Sequence, residues 1–343
     1  MPSSRPFGFL PTGEPIEIHQ LNNATGMSVN ILTLGGIVSS LKIPNRHGEL
    51  ADVVLGFDTL PPYLAPHPYF GAIAGRVAGR ITNAEFTLEG IKYPLARNNP
   101  PNHLHGGDRG FDKHLWSASS VTRADGAESL RLSRVSLDGE EGYPGNVSVS
   151  VTYTITPNNA LMIETEASTD RATPFSLTHH SYFNLAGEGE GSAGNHVLQI
   201  HADTYAPTDA SMTLLGRRES VTPANDFRLP RRVGDAIPGL HQEHGDLYFL
   251  SGTGPREVAN LIEPNSGRRL TVSSTESCLQ LYTAKSLDGT LTGKSGRIYQ
   301  AHAGLCLECQ GYSDGANTPA LDEIILLPDR TLRQTTIYAF SNI

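Results

Sequence analysis

Side chains alternate between apolar and polar over residues 147–155, and this alternation limits the possible folds more than any other feature of the chain. The apolar positions are Val147, Val149, Val151, Tyr153 and Ile155. Serine or threonine fills every position between them. Since successive side chains of a β-strand point to opposite faces of a sheet, the pattern predicts a half-buried antiparallel strand.

Similar alternation recurs in three further stretches, at 29–34, 159–167 and 335–340. Glycine (35 residues) and proline (23 residues) are frequent, which is typical of many strands joined by turns. The sequence therefore predicts an all-β fold, a large antiparallel β-sandwich with a few short helices around 58–64 and 207–214. No linker-like segment divides the chain, so we expect residues 1–343 to form a single domain.

The formal net charge of −9 restricts the possible partners. Nucleic-acid binding depends largely on Lys and Arg that neutralise phosphates, so an acidic chain is a poor candidate for it and for anionic membrane surfaces. The N-terminus has no apolar signal core, and no apolar run reaches the roughly 18 residues that suggest a membrane span. We therefore expect a cytoplasmic protein that binds a neutral small molecule.

The three cysteines are Cys278, Cys306 and Cys309. An odd number of cysteines in a chain of this length indicates no disulfide framework. The Cys306-x-x-Cys309 spacing resembles half of a metal or redox motif, but the sequence has no second pair of this kind. We interpret these cysteines as structural or incidental.

Two arginines, Arg76 and Arg80, stand four residues apart among small side chains. Arginine is mostly exposed in proteins, so one interpretation is that both are solvated or ion-paired. The other is that an arginine donates to substrate hydroxyls through its fixed fork of N–H groups.

Two polar segments each contain a pair of closely spaced histidines. His103 and His105 stand two residues apart before a glycine pair, and side chains two apart in a strand point the same way. They are compatible with a metal site that lacks its third ligand, or with a loop that brings a histidine close to a ligand. His179 and His180 fall within a strand-like segment, on opposite faces. Such histidines are either hydrogen-bonded structural groups or acid–base groups that titrate near neutral pH.

Glu308 stands in the middle of an apolar strand pattern, 304–310. Leu305, Leu307 and Cys309 share one predicted face, and Glu308 lies on the other. Burying a carboxylate is costly unless the group is paired or functional, so the pattern favours a functional role for Glu308.

The polar segments also follow one another in a specific order. The blocks are Asn102-His103-Leu104-His105-Gly106-Gly107, Gly110-Phe111-Asp112-Lys113, Glu141-Gly142-Tyr143-Pro144-Gly145, His180-Ser181-Tyr182-Phe183-Asn184-Leu185 and Leu307-Glu308-Cys309-Gln310. In this order they resemble the aldose 1-epimerase (galactose mutarotase) family along most of the chain. The resemblance implies a β-sandwich isomerase without metal or cofactor, monomeric or homodimeric, that interconverts the α and β anomers of a free hexose such as galactose or glucose.

The resemblance also implies roles for individual residues. Glu308 corresponds to the general base at the anomeric hydroxyl and His180 to the general acid at the ring oxygen. His105 corresponds to a second histidine that binds the substrate near the ring oxygen. The residues assigned to sugar binding are Arg80, Asp246, Gln280 and His179. His179 stands where the family commonly has asparagine, and Leu247, after Asp246, stands where it usually has histidine.

These departures leave alternatives open. The same acid–base pair could act on a different hemiacetal or a cyclic ketal in a specialised pathway. A non-catalytic sugar-binding protein is disfavoured because binding alone requires no acid–base pair. A hexose phosphate would need a cluster of cations, for which only Arg76 and Arg80 are candidates. A metal enzyme built on His103, His105 and His180 is the last alternative.

Overall fold

The computed structural model describes residues 2–241, 243–322 and 324–343. Most of the regular structure in these ranges is β-strand. The first fourteen strands are β1 Ser3–Phe9, β2 Pro15–Asn22, β3 Ser28–Leu32, β4 Val38–Pro44, β5 Leu50–Asp52, β6 Ile73–Ala74, β7 Arg80–Ile81, β8 Glu85–Leu88, β9 Ile91–Pro94, β10 His103–Leu104, β11 Ser117–Thr122, β12 Glu128–Ser136, β13 Val147–Ile155 and β14 Ala160–Thr169.

The later strands are β15 Thr173–Pro174, β16 Thr178–His179, β17 Val197–Ile200, β18 Thr204–Ala206, β19 Glu219–Ser220, β20 Arg231–Arg232, β21 Asp246–Phe249, β22 Arg256–Ile262, β23 Arg268–Ser274, β24 Cys278–Tyr282, β25 Cys306–Gln310, β26 Ile325–Leu326 and β27 Leu332–Asn342. The α-helices of the described ranges are α1 Pro61–Leu64 and α2 Val233–Ala236. Short 3₁₀ turns lie at Thr82–Ala84, Phe111–Lys113, Glu140–Gly142, Ala193–Asn195, Ile237–Gly239 and Lys294–Gly296.

Three large sheets form the body of the described protein. The largest has nine strands in the order β11-β12-β13-β14-β27-β23-β22-β17-β20. A five-stranded meander contains β1 to β5, and a second five-stranded sheet has the order β19-β18-β21-β24-β25. Their strand pairs are antiparallel, as in β13 with β14 and β24 with β25. The predicted all-β antiparallel sandwich is therefore confirmed, and β13 covers the range that the alternation predicts.

One large hydrophobic cluster joins the three sheets. It contains Val29 and Ile31 from the meander, Val151 from the nine-stranded sheet, and Leu279 and Leu307 from the second five-stranded sheet. Because each sheet contributes its apolar face to this cluster, the opposite face of β24 and β25 remains available to line a site.

One of the two predicted helical segments is confirmed, since α1 lies within 58–64. The prediction of a helix around 207–214 is wrong. The Asp209 side chain accepts hydrogen bonds from the backbone N–H groups of Ser211 (2.8 Å) and Thr213 (3.0 Å), which closes a turn. Aspartate commonly competes with helix formation in this way, because its carboxylate bonds nearby N–H groups. None of the helices in the described ranges has the length and apolar character required to cross a bilayer.

The free cysteines Cys278, Cys306 and Cys309 are all buried. Cys309 belongs to the large cluster, whereas Cys306 packs in a second cluster on the other face of β25. The two thiols of the Cys-x-x-Cys spacing therefore point away from each other. This arrangement agrees with structural cysteines and disagrees with a shared metal ion.

Candidate active site

A cavity of about 270 Å³ opens beside the strands β24 and β25. Its volume lies near the lower end of the range for small-molecule sites, roughly 300–1,000 Å³. Five of the seven residues that the sequence assigned to the site line it together: Arg80, His105, His180, Gln280 and Glu308. Gln280 and Glu308 are directly opposite each other on adjacent strands, which fixes their relative position.

Glu308 is 2% exposed. One carboxylate oxygen, Oε1, lies 3.5 Å from Nε2 of His180. The other, Oε2, is buried and has no hydrogen-bond partner in the described part of the protein. Burial raises the pKa of Glu308 to about 8, and the nearby Arg80 guanidinium partly opposes this. A buried carboxylate oxygen without a partner at a cavity wall is suited to accept a proton or a hydrogen bond from a bound molecule.

His180 is held between aromatic rings and a thiol. Its ring stacks on Tyr69 and Tyr182, with centroid distances of 5.8 and 5.1 Å. Its Nδ1 atom lies 3.6 Å from the sulfur of Cys306. Burial lowers the pKa of His180 to about 4. Because Nδ1 faces Cys306, Nε2 is the nitrogen that faces Glu308. The ring is held in place by the uncharged side chains of Tyr69, Tyr182 and Cys306.

His105 is aimed into the cavity by an unusual backbone. Its φ is +49°, in the left-handed region, and the glycine pair after it continues this conformation. A side chain at Gly106 would collide with the Gly75 carbonyl oxygen, 1.8 Å from the position of its Cβ. Glycine at this position therefore allows the loop that carries His105 to pack closely against the Gly75 backbone. Strained conformations of this kind are enriched at functional sites.

The tautomer of His105 follows from one hydrogen bond. The backbone N–H of Gly79 donates to Nδ1 over 3.1 Å, and the His105 N–H donates back to the Gly79 carbonyl. Burial holds the pKa of His105 well below its usual value, so the ring is neutral. Because Nδ1 accepts, the proton must reside on Nε2, which is a donor.

The tautomer of His105 argues against the alternative of a metal enzyme. His105, His180 and Glu308 place one possible ligand atom each within 4.8 Å of the others. A metal-bound histidine normally coordinates through one nitrogen and donates a hydrogen bond from the other. In His105 one nitrogen accepts from Gly79 and the other carries the proton, so neither offers a free lone pair. The donor set does not fit a metal ion in this hydrogen-bond arrangement.

His103 lies outside the cavity. Its ring contacts the Ala96 carbonyl through Nδ1 (2.8 Å) and the Tyr143 hydroxyl through Nε2 (2.8 Å). The expectation that His103 and His105 share a face is wrong, because the left-handed backbone at His105 turns that ring away from the strand direction. His103 is a hydrogen-bonded structural residue.

Of the two arginines, too, one lies outside the cavity and the other lines it. Arg76 is buried, and its guanidinium donates to the Pro144 carbonyl (2.8 Å) and the Ser136 hydroxyl (2.6 Å), among other groups. Arg80 reaches the cavity, where its Nε atom donates to Asn99 (2.8 Å). Burial lowers the pKa of Arg80 to about 10, so it remains a cation at neutral pH. Arg76 therefore supports the fold, whereas Arg80 lines the cavity.

His179 disagrees with its predicted place among the substrate-binding residues. Its ring lies on the core side, near the rings of Tyr153 and Tyr338, and Nε2 contacts the Ser181 hydroxyl at 2.7 Å. Neighbouring side chains of an extended segment point in opposite directions, so the segment that aims His180 at the cavity aims His179 away from it.

Asp246 also lies outside the cavity lining. It is paired with Leu281 on β24, one residue along from Gln280, and therefore points to the opposite face of the sheet from Gln280. Its carboxylate accepts hydrogen bonds from the Asn225 amide (3.1 Å) and the His241 backbone N–H (3.1 Å). The prediction that Asp246 binds sugar hydroxyls is not supported by this position.

Several cavity residues were not assigned to the site from the sequence: Tyr69, Asn99, Met212, Glu243, His244 and Tyr282. They come from loops or strand ends that are far apart in the chain, so local patterning could not group them. The histidine and acidic residues just before Gly245 were the most visible signal among them.

Comparison with known proteins agrees with this geometry. The sequence profile of the family described as Aldose 1-epimerase matches residues 17–339. The chain belongs to the aldose 1-epimerase family.

Among curated members of the aldose 1-epimerase family, the galactose mutarotase of Sus scrofa is 41% identical over 339 residues, covering 98% of this chain and 97% of the relative. The aldose 1-epimerase of Escherichia coli (strain K12) is 32% identical over 340 residues, covering 96% of each. The relatives therefore match over almost their whole length.

Solved structures of the family agree in fold. An aldose epimerase homologue from C. elegans superposes with a TM-score of 0.87 at 29% identity, covering 95% of this chain and 99% of that one. The galactose 1-epimerase of Lactobacillus acidophilus NCFM gives a TM-score of 0.85 at 25% identity, covering 100% and 99%. This similarity spans all three large sheets of the present structure.

Proposed function

We propose that this protein is an aldose 1-epimerase, an isomerase that interconverts the α and β anomers of a free hexose such as galactose. The observation that carries the proposal is the pair formed by Glu308 and His180, 3.5 Å apart at the wall of a sugar-sized cavity. We further propose a cytoplasmic location, a monomer or homodimer, and catalysis by the side chains alone.

The reaction needs one group that removes the proton of the anomeric hydroxyl and one that protonates the ring oxygen. Glu308 is the proposed base, since its Oε2 atom has no hydrogen-bond partner among the described residues. His180, in its protonated form, is the proposed acid. The C1–O5 bond then opens to the free aldehyde, rotation about C1–C2 presents the other face of the carbonyl, and the two groups act in reverse during ring closure.

The proposed supporting roles follow from the hydrogen-bonding capacity of each group. His105 donates from Nε2 toward the ring-oxygen side. Arg80 donates to sugar hydroxyls, and its charge also favours the ionised form of Glu308. Gln280 lies across from Glu308 and offers its amide oxygen, because its amide nitrogen already donates to the His244 carbonyl (2.9 Å).

The test is polarimetry on freshly dissolved α-D-galactose and α-D-glucose, with the wild type and with Glu308→Gln. We expect the wild type to accelerate mutarotation and Glu308→Gln to lose about 10²–10⁴-fold in kcat, because an amide cannot act as a base. The variant should keep its fold and its ability to bind sugar. Full activity in Glu308→Gln would refute the assignment of the base.

A second candidate function keeps the acid–base pair and changes the substrate to another hemiacetal or a cyclic ketal. The positions of Asp246 and Leu247 favour it, because β21 presents the apolar Leu247 rather than a carboxylate on the face that carries Gln280. Rates on ordinary aldoses near the buffer background, in a folded wild-type protein, would support this alternative.

A further inference from the structure

The cavity wall next to Gln280 is built by an unexpected segment. On β21, Leu247 is the residue opposite Gln280, and Leu247 packs in an apolar cluster with Phe249 and Tyr312. The strand itself therefore offers no polar side chain to a ligand on this face. The polar groups at this end of the cavity, Glu243 and His244, come from the loop that precedes the strand.

Several bonds fix the position of His244 within that loop. Its backbone carbonyl accepts from the Gln280 amide (2.9 Å), and its backbone N–H donates to Nδ1 of His241 (3.0 Å). Asp246 binds the His241 N–H from the other side of the sheet. Although His244 lines the cavity, it is only 6% exposed. The ring is thus a fixed part of the wall.

The hydrogen-bonding character of the ring is also determined. Nδ1 lies 2.9 Å from the Gly245 carbonyl oxygen, which can only accept, so Nδ1 carries a proton. Burial, with a contribution from the Arg80 charge, lowers the pKa of His244 to about 3. The ring is therefore neutral, and Nε2 carries a lone pair rather than a proton. No group of the described residues hydrogen-bonds to this nitrogen.

We infer that His244 is a specificity-determining residue that accepts a hydrogen bond from one hydroxyl of the bound sugar through Nε2. The inference rests on the proposed function and identifies the residue that recognises a sugar hydroxyl at the Gln280 end of the cavity. Asp246, on the opposite face of the sheet, acts as a positioning residue for the loop that carries His244.

A neutral acceptor beside a cation suits a hydroxyl group better than it suits an anion. His244 accepts and Arg80 donates, so a hydroxyl between them can donate to one and accept from the other. Glu243, at the exposed rim, opposes anionic groups in the same region. The combination favours an uncharged sugar over a sugar phosphate.

The experiment measures kcat/KM by polarimetry for galactose and for its 2-, 3-, 4- and 6-deoxy forms. For each sugar, the value of a variant is divided by the wild-type value, which cancels the intrinsic reactivity of that sugar. In His244→Leu we expect this ratio to be about five-fold higher for one deoxy sugar than for galactose, since that sugar lacks the hydroxyl that His244 binds. In His244→Gln, which retains an acceptor oxygen, the difference between the two ratios should be smaller than in His244→Leu.

His201→Leu is the control, because His201 is an exposed histidine that contacts Glu257, does not line the cavity and makes no contact with the described residues of the loop that carries His244. Its ratios should be equal for all five sugars even if its overall activity falls. Equal ratios for His244→Leu would overturn the inference and leave the proposed function intact. A wild type that accelerates no aldose would overturn the proposed function, and the inference with it.

Discussion

Glu308 and His180 are both almost fully buried, so each resists its own charged form. At neutral pH the carboxyl with its raised pKa and the imidazole with its lowered pKa together hold one transferable proton. Moving that proton from Glu308 to His180 would create the proposed base and the proposed acid in a single step.

The shared proton predicts the pH dependence of turnover. Above the Glu308 pKa of about 8 the pair loses its proton and has no acid, whereas below the His180 pKa of about 4 it gains a second proton and has no base. We expect kcat/KM to be level between these limits and to fall on both sides. Polarimetry with the buffer rate subtracted would measure this profile, and a rise through pH 6.5 would contradict it.

The neighbouring histidines offer a second prediction. His180→Asn should lose about 10²–10⁴-fold in kcat, because it removes the proposed acid. His179→Asn should keep most of its kcat, since His179 contacts Ser181 and the core tyrosines rather than the cavity. Parallel rate measurements on the two variants test this, and a larger loss at His179 would reverse the choice of acid.

Among the strands, the alternation rule succeeded where the two faces differ in chemistry. In β13, valines face the core and Ser148 is exposed, so the pattern was visible in the sequence. All four residues of β21 are buried, so the sequence contained no contrast that indicates which face holds Asp246. The register with β24 decides that question, and register is a long-range property.

The role of Asp246 in holding the loop can be tested by Asp246→Ala. The change removes the acceptor of the His241 and Asn225 hydrogen bonds, so we expect a loss of about 1–3 kcal/mol in the free energy of unfolding. KM should rise more than kcat falls. Urea denaturation and steady-state polarimetry would measure both effects. Unchanged stability with a large loss of kcat/KM would instead indicate direct contact with the sugar.

Taken across the whole chain, the fold class could be predicted from the sequence, but the order of strands in the sheets could not. The nine-stranded sheet pairs β27 with β14 and β23, although the residues of β14 are far away in the chain. Local alternation identifies a strand but does not indicate which other strand it pairs with. The acid–base pair was predicted from the family resemblance, whereas the loop that carries His244 required the three-dimensional arrangement.

We propose that residues 1–343 unfold as one domain, because the large hydrophobic cluster extends from Leu21 to Phe340 and includes all three large sheets. Thermal unfolding should then give a single transition, with circular dichroism and loss of activity coinciding. Two separate transitions, or inactivation well before the loss of β-structure, would show that parts of the chain unfold independently.

The central place of β27 has a consequence for synthesis. Residues 332–342 complete the nine-stranded sheet, and they are the last strand of the described chain to leave the ribosome. Until then β14 and β23 each present an open edge, and open edges pair readily with other chains. Soluble yield during expression should therefore depend on how well chaperones cover these two strands, and lower growth temperature or slower induction should improve it.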